Sequence, residues 1–404
     1  MTKIVYISIG NEILIGKTVN TNEAFIGSQL ADIGMPLEKT ITIKDERETI
    51  LNLLKSCWEK YDIIIVTGGL GPTHDDVTKS AICKFFKKEL VFKNSVWNDI
   101  KKLYNEENQT IPEIVKTQAE IPEGFIALAN KRGTAPGLYY SRNNKKIFVL
   151  PGVPAEMKHL FIENIIPMIK KQYHTTPLFQ KTIRTIGIPE SLLYTKTEEI
   201  KESEHTKIAF LPKPGMVDIR VYGFMEKEVN MFINHLQNKI PEGNIYGFDD
   251  ENIVSIFHKK MLDSRKTISA AESCTGGLIQ NLITDNAGSS EYFLGGIVCY
   301  SNDAKMRLLK VQRSTIHKFG AVSRETVKEM VVGVQNLMKS DYAIAVSGIA
   351  GPGGGLKEKP VGLVYIGVIG KSGLDITKNN FSGNRLAVKK KTAFTALNQL
   401  SKTL

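Results

Sequence analysis

DIIIVTGG, residues 62–69, is an apolar run of strand length that empties into two glycines. Such a run suits a strand covered on both faces, as in a parallel sheet. Working outward, KIVYISIG (3–10) and EKTITIKD (38–45) read as further strands. NTNEAFIGSQLADIG (20–34) has helical spacing and stops at Gly34, a good helix terminator. ERETILNLLKSCWEK (46–60) reads as a second helix, and helical patterns continue to about residue 118. KKIFVLPGVPAEMKHLF (145–161) then gives strand, turn and helix, with the helix running to about Lys171. This alternation predicts a doubly wound α/β domain with a parallel sheet over residues 1–171.

Two more units follow. KTIRTIGIPE, TKIAFLPKPG and VDIRVYGF are strand-like, which predicts a small α+β domain over 172–252. PEGNIYGFDDEN (241–252) reads as its linker to the third unit, 253–404. There the order is helix 253–262, strand KTISAAES, helix LIQNLIT, strand FLGGIVCYS, helix NDAKMRLLK, helix 322–338, strand DYAIAVSG, a last core strand PVGLVYIGVIG and a closing helix 387–400. No periodic repeat is visible; TGGLGP (67–72) and SGIAGP (347–352) are two glycine turns after buried strands.

The bulk numbers exclude several classes. A chain of 404 residues has room for two to four domains. Its net charge of +11 is spread over short basic pairs such as Lys87–Lys88 and Lys170–Lys171, so nucleic acid binding is not the expected main function. Cys57, Cys83, Cys274 and Cys299 form no C-x-x-C pair, so free thiols in the cytoplasm are expected rather than a zinc knuckle. The first residues lack the pattern of a signal peptide, and no apolar run approaches 18 residues, so no membrane span is expected.

Ligands of open α/β sheets bind beyond the C-terminal strand ends. In the third unit three such ends carry unusual residues. In AESCTGG (271–277) Ser273 stands where strand becomes helix, followed by Gly276 and Gly277, whose N–H groups could face a developing negative charge. The plainer reading is that Ser273 or Thr275 caps the helix. In YSNDAK (300–305) Tyr300 and Lys305 could converge on the same crevice, and a buried lysine can serve a serine as base. No histidine stands at a strand end here, so a Ser–Lys–Tyr set is more plausible than Ser–His–Asp. In SGIAGPGGG (347–355) a glycine loop could cradle phosphate, without the lysine of a Walker loop. Cys274 is the rival nucleophile.

In the first unit TGGLGPTHDDVT (67–78) offers glycines for phosphate and the adjacent carboxylates of Asp75 and Asp76 for a hard cation. Glu12 in GNE, NKRGTAPG (130–137) and Glu156 in PGVPAEM (151–157) could reach the same crevice. A solvated turn or helix cap is the plain reading of the acidic pair.

AESCTGG, AGSSEYFLGG (287–296), CYSNDAK (299–305), GAVS (320–323), SGIAGPGGG, EKPVGLVYIG (358–367) and SGNR (382–385) together resemble the C-terminal domain of the CinA family. The glycine and acid motifs of the first unit resemble the molybdopterin-binding fold, and more closely the N-terminal domain of that family. Residues 172–250, with KPGMVDIR (213–220), resemble its KH-type middle domain, although no G-x-x-G nucleic-acid loop is present.

The resemblance implies an α/β multidomain chain that salvages pyridine nucleotides, with the small nucleotides NMN and ADP-ribose as substrates. Its C-terminal domain would deamidate nicotinamide mononucleotide (NMN) to nicotinic acid mononucleotide without a cofactor. Ser273 would be the nucleophile and Tyr300 and Lys305 its activating partners, with the direct base left open. Thr275, Gly276, Gly277, Ser290, Ser347, Gly348 and Arg385 would surround the substrate, Arg385 facing its phosphate. The N-terminal domain would hydrolyse ADP-ribose with a divalent cation (Mg, Mn or Co) held by Glu12, Asp75, Asp76 and Glu156. Gly68, Gly69, Gly71, Lys131 and Gly133 would meet the nucleotide. Asn11 stands where some relatives carry a charged aspartate. A cytoplasmic homodimer, without membrane or nucleic acid partners, is expected. The alternatives are a pterin or molybdenum-cofactor protein and a competence or DNA-recombination accessory.

Overall fold

The computed structural model describes residues 2–73, 76–106, 110–199 and 206–404. Two compact units divide the chain, Met1–Phe179 and Gln180–Leu404. The strands of the first are β1 (Ile4–Ile9), β2 (Lys39–Ile43), β3 (Ile63–Thr67), β4 (Leu90–Phe92), β5 (Glu120–Pro122), β6 (Ile126–Leu128), β7 (Gly137–Arg142) and β8 (Lys145–Leu150). Six of them form a sheet in the order β2-β1-β3-β8-β7-β6. β2, β1, β3 and β8 are parallel.

Alternate residues face opposite layers. Val5, Ile7, Ile64 and Val66 enter one core, whereas Ile4, Tyr6, Ile63 and Ile65 enter the other. Helices therefore cover both faces, as doubly wound sheets require. The sheet is nevertheless mixed, since β7 runs antiparallel to both β8 and β6. Asn143 and Asn144, at φ 53° and 63°, turn the chain between β7 and β8. Asparagine tolerates that left-handed geometry, so the hairpin has a local cause. β4 falls inside the stretch expected to be helical and pairs antiparallel with β5 just beyond it.

The second unit holds two sheets. β9 (Phe179–Ile186), β10 (Thr206–Lys213), β11 (Met216–Gly223) and β12 (Ile245–Phe248) form one, in the order β10-β11-β9-β12. β12 comes from the segment read as a linker, and it pairs with β9. β13 (Ile268–Glu272), β14 (Phe293–Val298), β15 (Tyr342–Gly348), β16 (Leu363–Gly370) and β17 (Gly373–Asn380) form the other, in the order β14-β13-β15-β16-β17. β14, β13 and β15 are parallel, and β16 and β17 return antiparallel. β17 follows the strand expected to be last. Ile186 and Met216 of the first sheet share a buried core with Phe257, Ile344 and Leu397. No described helix is long and apolar enough to cross a membrane.

Asp218 on β11 is the charged centre of the four-stranded sheet. Its side chain is 1% exposed and takes ion pairs from Arg184 on β9 and from Lys213 at 2.6 Å. Removing one member of a buried ion pair leaves the others uncompensated, so Asp218→Ala is expected to cost about 3–5 kcal/mol. Urea unfolding of the two proteins measures it; a loss below about 1 kcal/mol would place this cluster with solvent-screened pairs.

Candidate active site

The parallel strands β13, β14 and β15 bring their C-terminal ends together, and a cleft of about 250 Å³ opens there. Ser273, Tyr300, Lys305, Ser347, Gly348 and Arg385 all line it. Ser273 begins the turn between β13 and the helix Leu278–Thr284 and is 8% exposed. Gly276 and Gly277 carry the turn at φ 62° and 94°, a region that side chains with a Cβ rarely adopt.

Lys305 lies in the first turn of the helix Asn302–Leu309 and is 1% exposed. Its Nζ donates to Ser273 Oγ at 3.0 Å, to the Cys299 carbonyl at 2.8 Å and to the Tyr300 carbonyl at 3.3 Å. Burial strips water from the ammonium and holds its pKa below the usual lysine value. The neutral amine is therefore available at a lower pH than for a surface lysine. Tyr300 is 62% exposed, and its hydroxyl accepts from Arg385 Nη2 at 3.0 Å. Of the two activating partners expected, Lys305 is the one bonded to Ser273. Arg385 Nη1 also donates to the Gly351 carbonyl at 2.8 Å. Ser347 Oγ donates to the Ala321 carbonyl at 2.7 Å, which fixes the cleft wall. The rival Cys274 is buried, and burial pushes its thiol up to about 12. It is a protonated thiol at neutral pH and a poor nucleophile.

Other expectations need correction. The Gly276 N–H bonds the Ser273 carbonyl at 3.2 Å. The Gly277 N–H bonds Glu272 Oε2 at 3.0 Å. Both donors are engaged inside the turn, so an oxyanion held near Gly276 does not follow. Thr275 is fully buried and does not line the cleft. Ser290 precedes β14, so it lies at the opposite end of the parallel sheet, about 17 Å away for a strand of this length.

The residue that sequence reasoning missed is Glu272. It is fully buried, and its carboxylate accepts from Gly277 N, Ile279 N (3.1 Å) and Gln280 N (2.8 Å). A carboxylate just before a strand-to-helix turn was the available signal, since helix N-termini carry unmatched donors.

In the first unit β1, β3 and β8 also end together. A side chain at Gly68 would put its Cβ 2.1 Å from the Ile9 carbonyl oxygen, so only glycine fits the crossing of those ends. Gly69 follows at φ 64°. Asp76 turns back on its own loop, where Oδ2 accepts from Thr73 N at 3.0 Å and Thr73 Oγ1 at 2.6 Å, packed over Gly71. Glu156 Oε2 accepts from Asn130 Nδ2 at 2.6 Å and packs against Gly133; burial raises its pKa. Glu12 and Lys131 are exposed, and Asp75 lies outside the described residues. Among the described residues no three His, Cys, Asp or Glu side chains are gathered to hold a metal ion. Glu12, Asp76 and Glu156 are thus not gathered into one ligand set, and the fourth expected ligand, Asp75, lies outside the described residues.

Glu272→Ala would strand three backbone donors, one buried and two half-buried, at the start of the helix Leu278–Thr284. Each unmatched buried donor costs about 1–3 kcal/mol, so a loss of at least about 2 kcal/mol is expected, with Glu272→Gln falling between. Denaturant unfolding checks it, and an unchanged midpoint would remove Glu272 as the clamp of the turn.

Comparison with known proteins covers all three parts of the chain. The model of the CinA C-terminal domain matches residues 250–404, the probable molybdopterin binding domain matches 5–171, and the damage-inducible protein CinA KH domain matches 180–247. A CinA-like protein of Endomicrobium trichonymphae is 40% identical over 423 residues, spanning 100% of this chain and 98% of its own. A putative competence-damage inducible protein of Halothermothrix orenii is 40% identical over 386 residues, spanning 94% of this chain and 93% of its own. Among solved structures, competence/damage inducible protein CihA from Agrobacterium tumefaciens is 38% identical with a TM-score of 0.36, covering 38% of this chain and 97% of that one. The chain belongs to the CinA family, with a molybdopterin-binding-like N-terminal domain, a KH domain and a CinA C-terminal domain.

Proposed function

We propose that the C-terminal cleft is a serine amidohydrolase site that converts NMN to nicotinic acid mononucleotide and ammonia. The observation that carries this reading is the buried Lys305 amine 3.0 Å from the Ser273 hydroxyl, in a cleft that also holds a guanidinium. Neutral Lys305 takes the Ser273 proton as Oγ attacks the carboxamide carbon. The tetrahedral oxyanion collapses, the lysine ammonium returns its proton to the leaving nitrogen, and ammonia departs. Water then attacks the acyl-enzyme, Lys305 accepts its proton, and Ser273 is regenerated as the acid is released.

The N-terminal strand ends support a second activity, hydrolysis of ADP-ribose to AMP and ribose 5-phosphate. Glycines cross closely there, with Gly152 beside Gly68, as a loop that cradles phosphates requires. The described carboxylates do not form a metal-ligand set, so no step is assigned to a cation. A cytoplasmic homodimer acting on these two small nucleotides completes the reading. Tight molybdopterin binding without hydrolysis would favour a pterin-binding role instead, and salt-sensitive DNA binding a role in competence.

The amidohydrolase reading makes three linked demands. Ser273→Ala should lower NMN turnover by at least ~10³-fold, with Lys305→Ala close behind, because members of one proton-transfer unit are not additive. Cys274→Ala, or alkylation of the thiol, should change turnover little. The rate should fall as pH drops through the lowered Lys305 pKa, since the protonated lysine cannot take the serine proton. Product identification by mass and a pH–rate profile test all three; a folded Ser273→Ala protein that keeps more than about a tenth of its activity would sink the mechanism.

For the first domain, AMP should form from ADP-ribose, and Asp76→Ala, which frees the loop held at Thr73 over Gly71, should suppress it while NMN deamidation persists. Product identification by mass checks it, and full turnover in Asp76→Ala would remove that loop from the site.

A further inference from the structure

β14 (Phe293–Val298) is an outer strand. β13 pairs with one side of it, and among the described residues no strand lies on the other. Its open side offers a row of backbone N–H and C=O groups to water or to another chain, and edges of this kind are commonly blocked by a lysine, a proline or an inward charge. The sequence FLGGIV has none of these. Leu294 and Val298 are exposed, as is Leu337, whose neighbour Met338 packs at Gly295. Gly295 and Gly296 leave no side chain in the way of an approaching backbone. A bulge is the protective feature present, since the pairing with β13 passes from Phe293 to Gly295 and skips Leu294. It limits regular pairing to Gly295–Val298, and β12 pairs with β9 although it too has only 4 residues.

Charge decides what can lie on this edge. The chain carries +11, which sets two copies against each other over much of their surface. From Thr267 to Cys299, however, it has no lysine, arginine or histidine. Acids stand at the entry end of β14. Asp285 caps the helix Leu278–Thr284, which returns the chain toward that end, and Glu291 is exposed just before the strand. Cations stand at the exit end. Arg385 donates there to the Tyr300 hydroxyl, and Lys389 lies beside Gly276, whose neighbour Gly277 faces Val298. These two outnumber Asp303, the acid in the first turn of the helix Asn302–Leu309. A two-fold axis across β14 turns one copy end for end against the other. Open backbone groups then meet open backbone groups in an antiparallel ladder, and the acidic entry of each strand meets the basic exit of the other. A parallel approach would set like charges together.

We propose that two copies of this chain join through the open edge of β14, antiparallel about a two-fold axis, so that their five-stranded sheets continue into one another. The inference rests on the homodimer of the proposed function and gives it a surface; it does not need the amidohydrolase chemistry. It also brings the second copy to the cleft, because Tyr300, which lines the cleft, directly follows the paired end of β14.

Sedimentation equilibrium of the full-length protein measures the mass and its dependence on concentration. The native protein should have the mass of two chains. Leu294→Lys sets two cations into the joint and should raise the dimer dissociation constant at least ~10²-fold, as like charges brought together in an interface do. Glu291→Lys should weaken the dimer about 10-fold, and adding Lys389→Glu should restore it, since the swap returns opposite charges to each end. Leu294 and Glu291 are both exposed, so each single variant should keep the native circular dichroism; the charge swap carries the test if Leu294→Lys does not fold. A native protein with the mass of one chain removes the homodimer and the joint together. A folded Leu294→Lys or Glu291→Lys protein that dimerises as tightly as the native one overturns the joint and leaves the homodimer standing. Weakening by Glu291→Lys without recovery in the double variant overturns the antiparallel arrangement. NMN turnover of the native sample decides the amidohydrolase reading separately.

Discussion

A lysine that is 1% exposed must find oxygens for its terminal nitrogen or give up its charge, because an isolated ammonium in an apolar interior is costly. Lys305 meets two carbonyl oxygens and the Ser273 hydroxyl. Carbonyl oxygens accept hydrogen bonds without a full counter-charge, so they orient the nitrogen while leaving its basicity depressed. One buried nitrogen thus ties the helix Asn302–Leu309, the end of β14 and the turn after β13 into a single constellation. The candidate chemistry depends on that tie, since Ser273 needs a partner that gives up its proton more readily than a surface lysine does.

The tie holds only if the turn after β13 keeps one shape, and Glu272 supplies that condition. Its carboxylate occupies the donors at the start of the helix Leu278–Thr284. Its backbone carbonyl accepts from Cys299 N at 2.8 Å, and the Cys299 carbonyl in turn receives Lys305. Glu272 and Lys305 are therefore linked through the neighbouring ends of β13 and β14. The helix N-terminus, used elsewhere to hold anions, is here neutralised by the protein's own carboxylate. The cations nearby are Arg385, which lines the cleft, and Lys389, which lies beside Gly276, both on the closing helix.

The N-terminal domain applies the same strand-end geometry with a different outcome. Its glycines allow β1, β3 and β8 to end in close contact, but Asp76 and Glu156 bond within their own surroundings. Asn130 carries much of that arrangement. Its amide donates to the Ala135 carbonyl and to Glu156, and its oxygen accepts from Arg132 N. Each of the two carboxylates is thus engaged by neighbours of its own.

The main parallel strands, the glycine turns and the placement of Ser273 and Lys305 at strand ends were legible in the sequence, whereas Arg385 came from the resemblance and stands two residues before the helix start that was expected. The legible features follow from local rules: apolar runs of strand length, helical spacing, and the backbone freedom of glycine. The hairpin at Asn143–Asn144 was legible by the same rules and was overlooked, and β12 was hidden because a four-residue strand between turns carries no periodicity of its own. What only the tertiary structure decided is direction. AESCTGG does not say that Glu272 turns inward to the helix, that Gly276 and Gly277 engage their donors in the turn, or that Ser290 lies at the far end of the sheet. Nor does spacing say that the amine of Lys305, and not the hydroxyl of Tyr300, reaches Ser273. The lysine's choice is made by packing between residues 32 positions apart and that of Glu272 by contacts five to eight positions apart, and in both a buried polar group takes whichever partner the fold brings within hydrogen-bond reach.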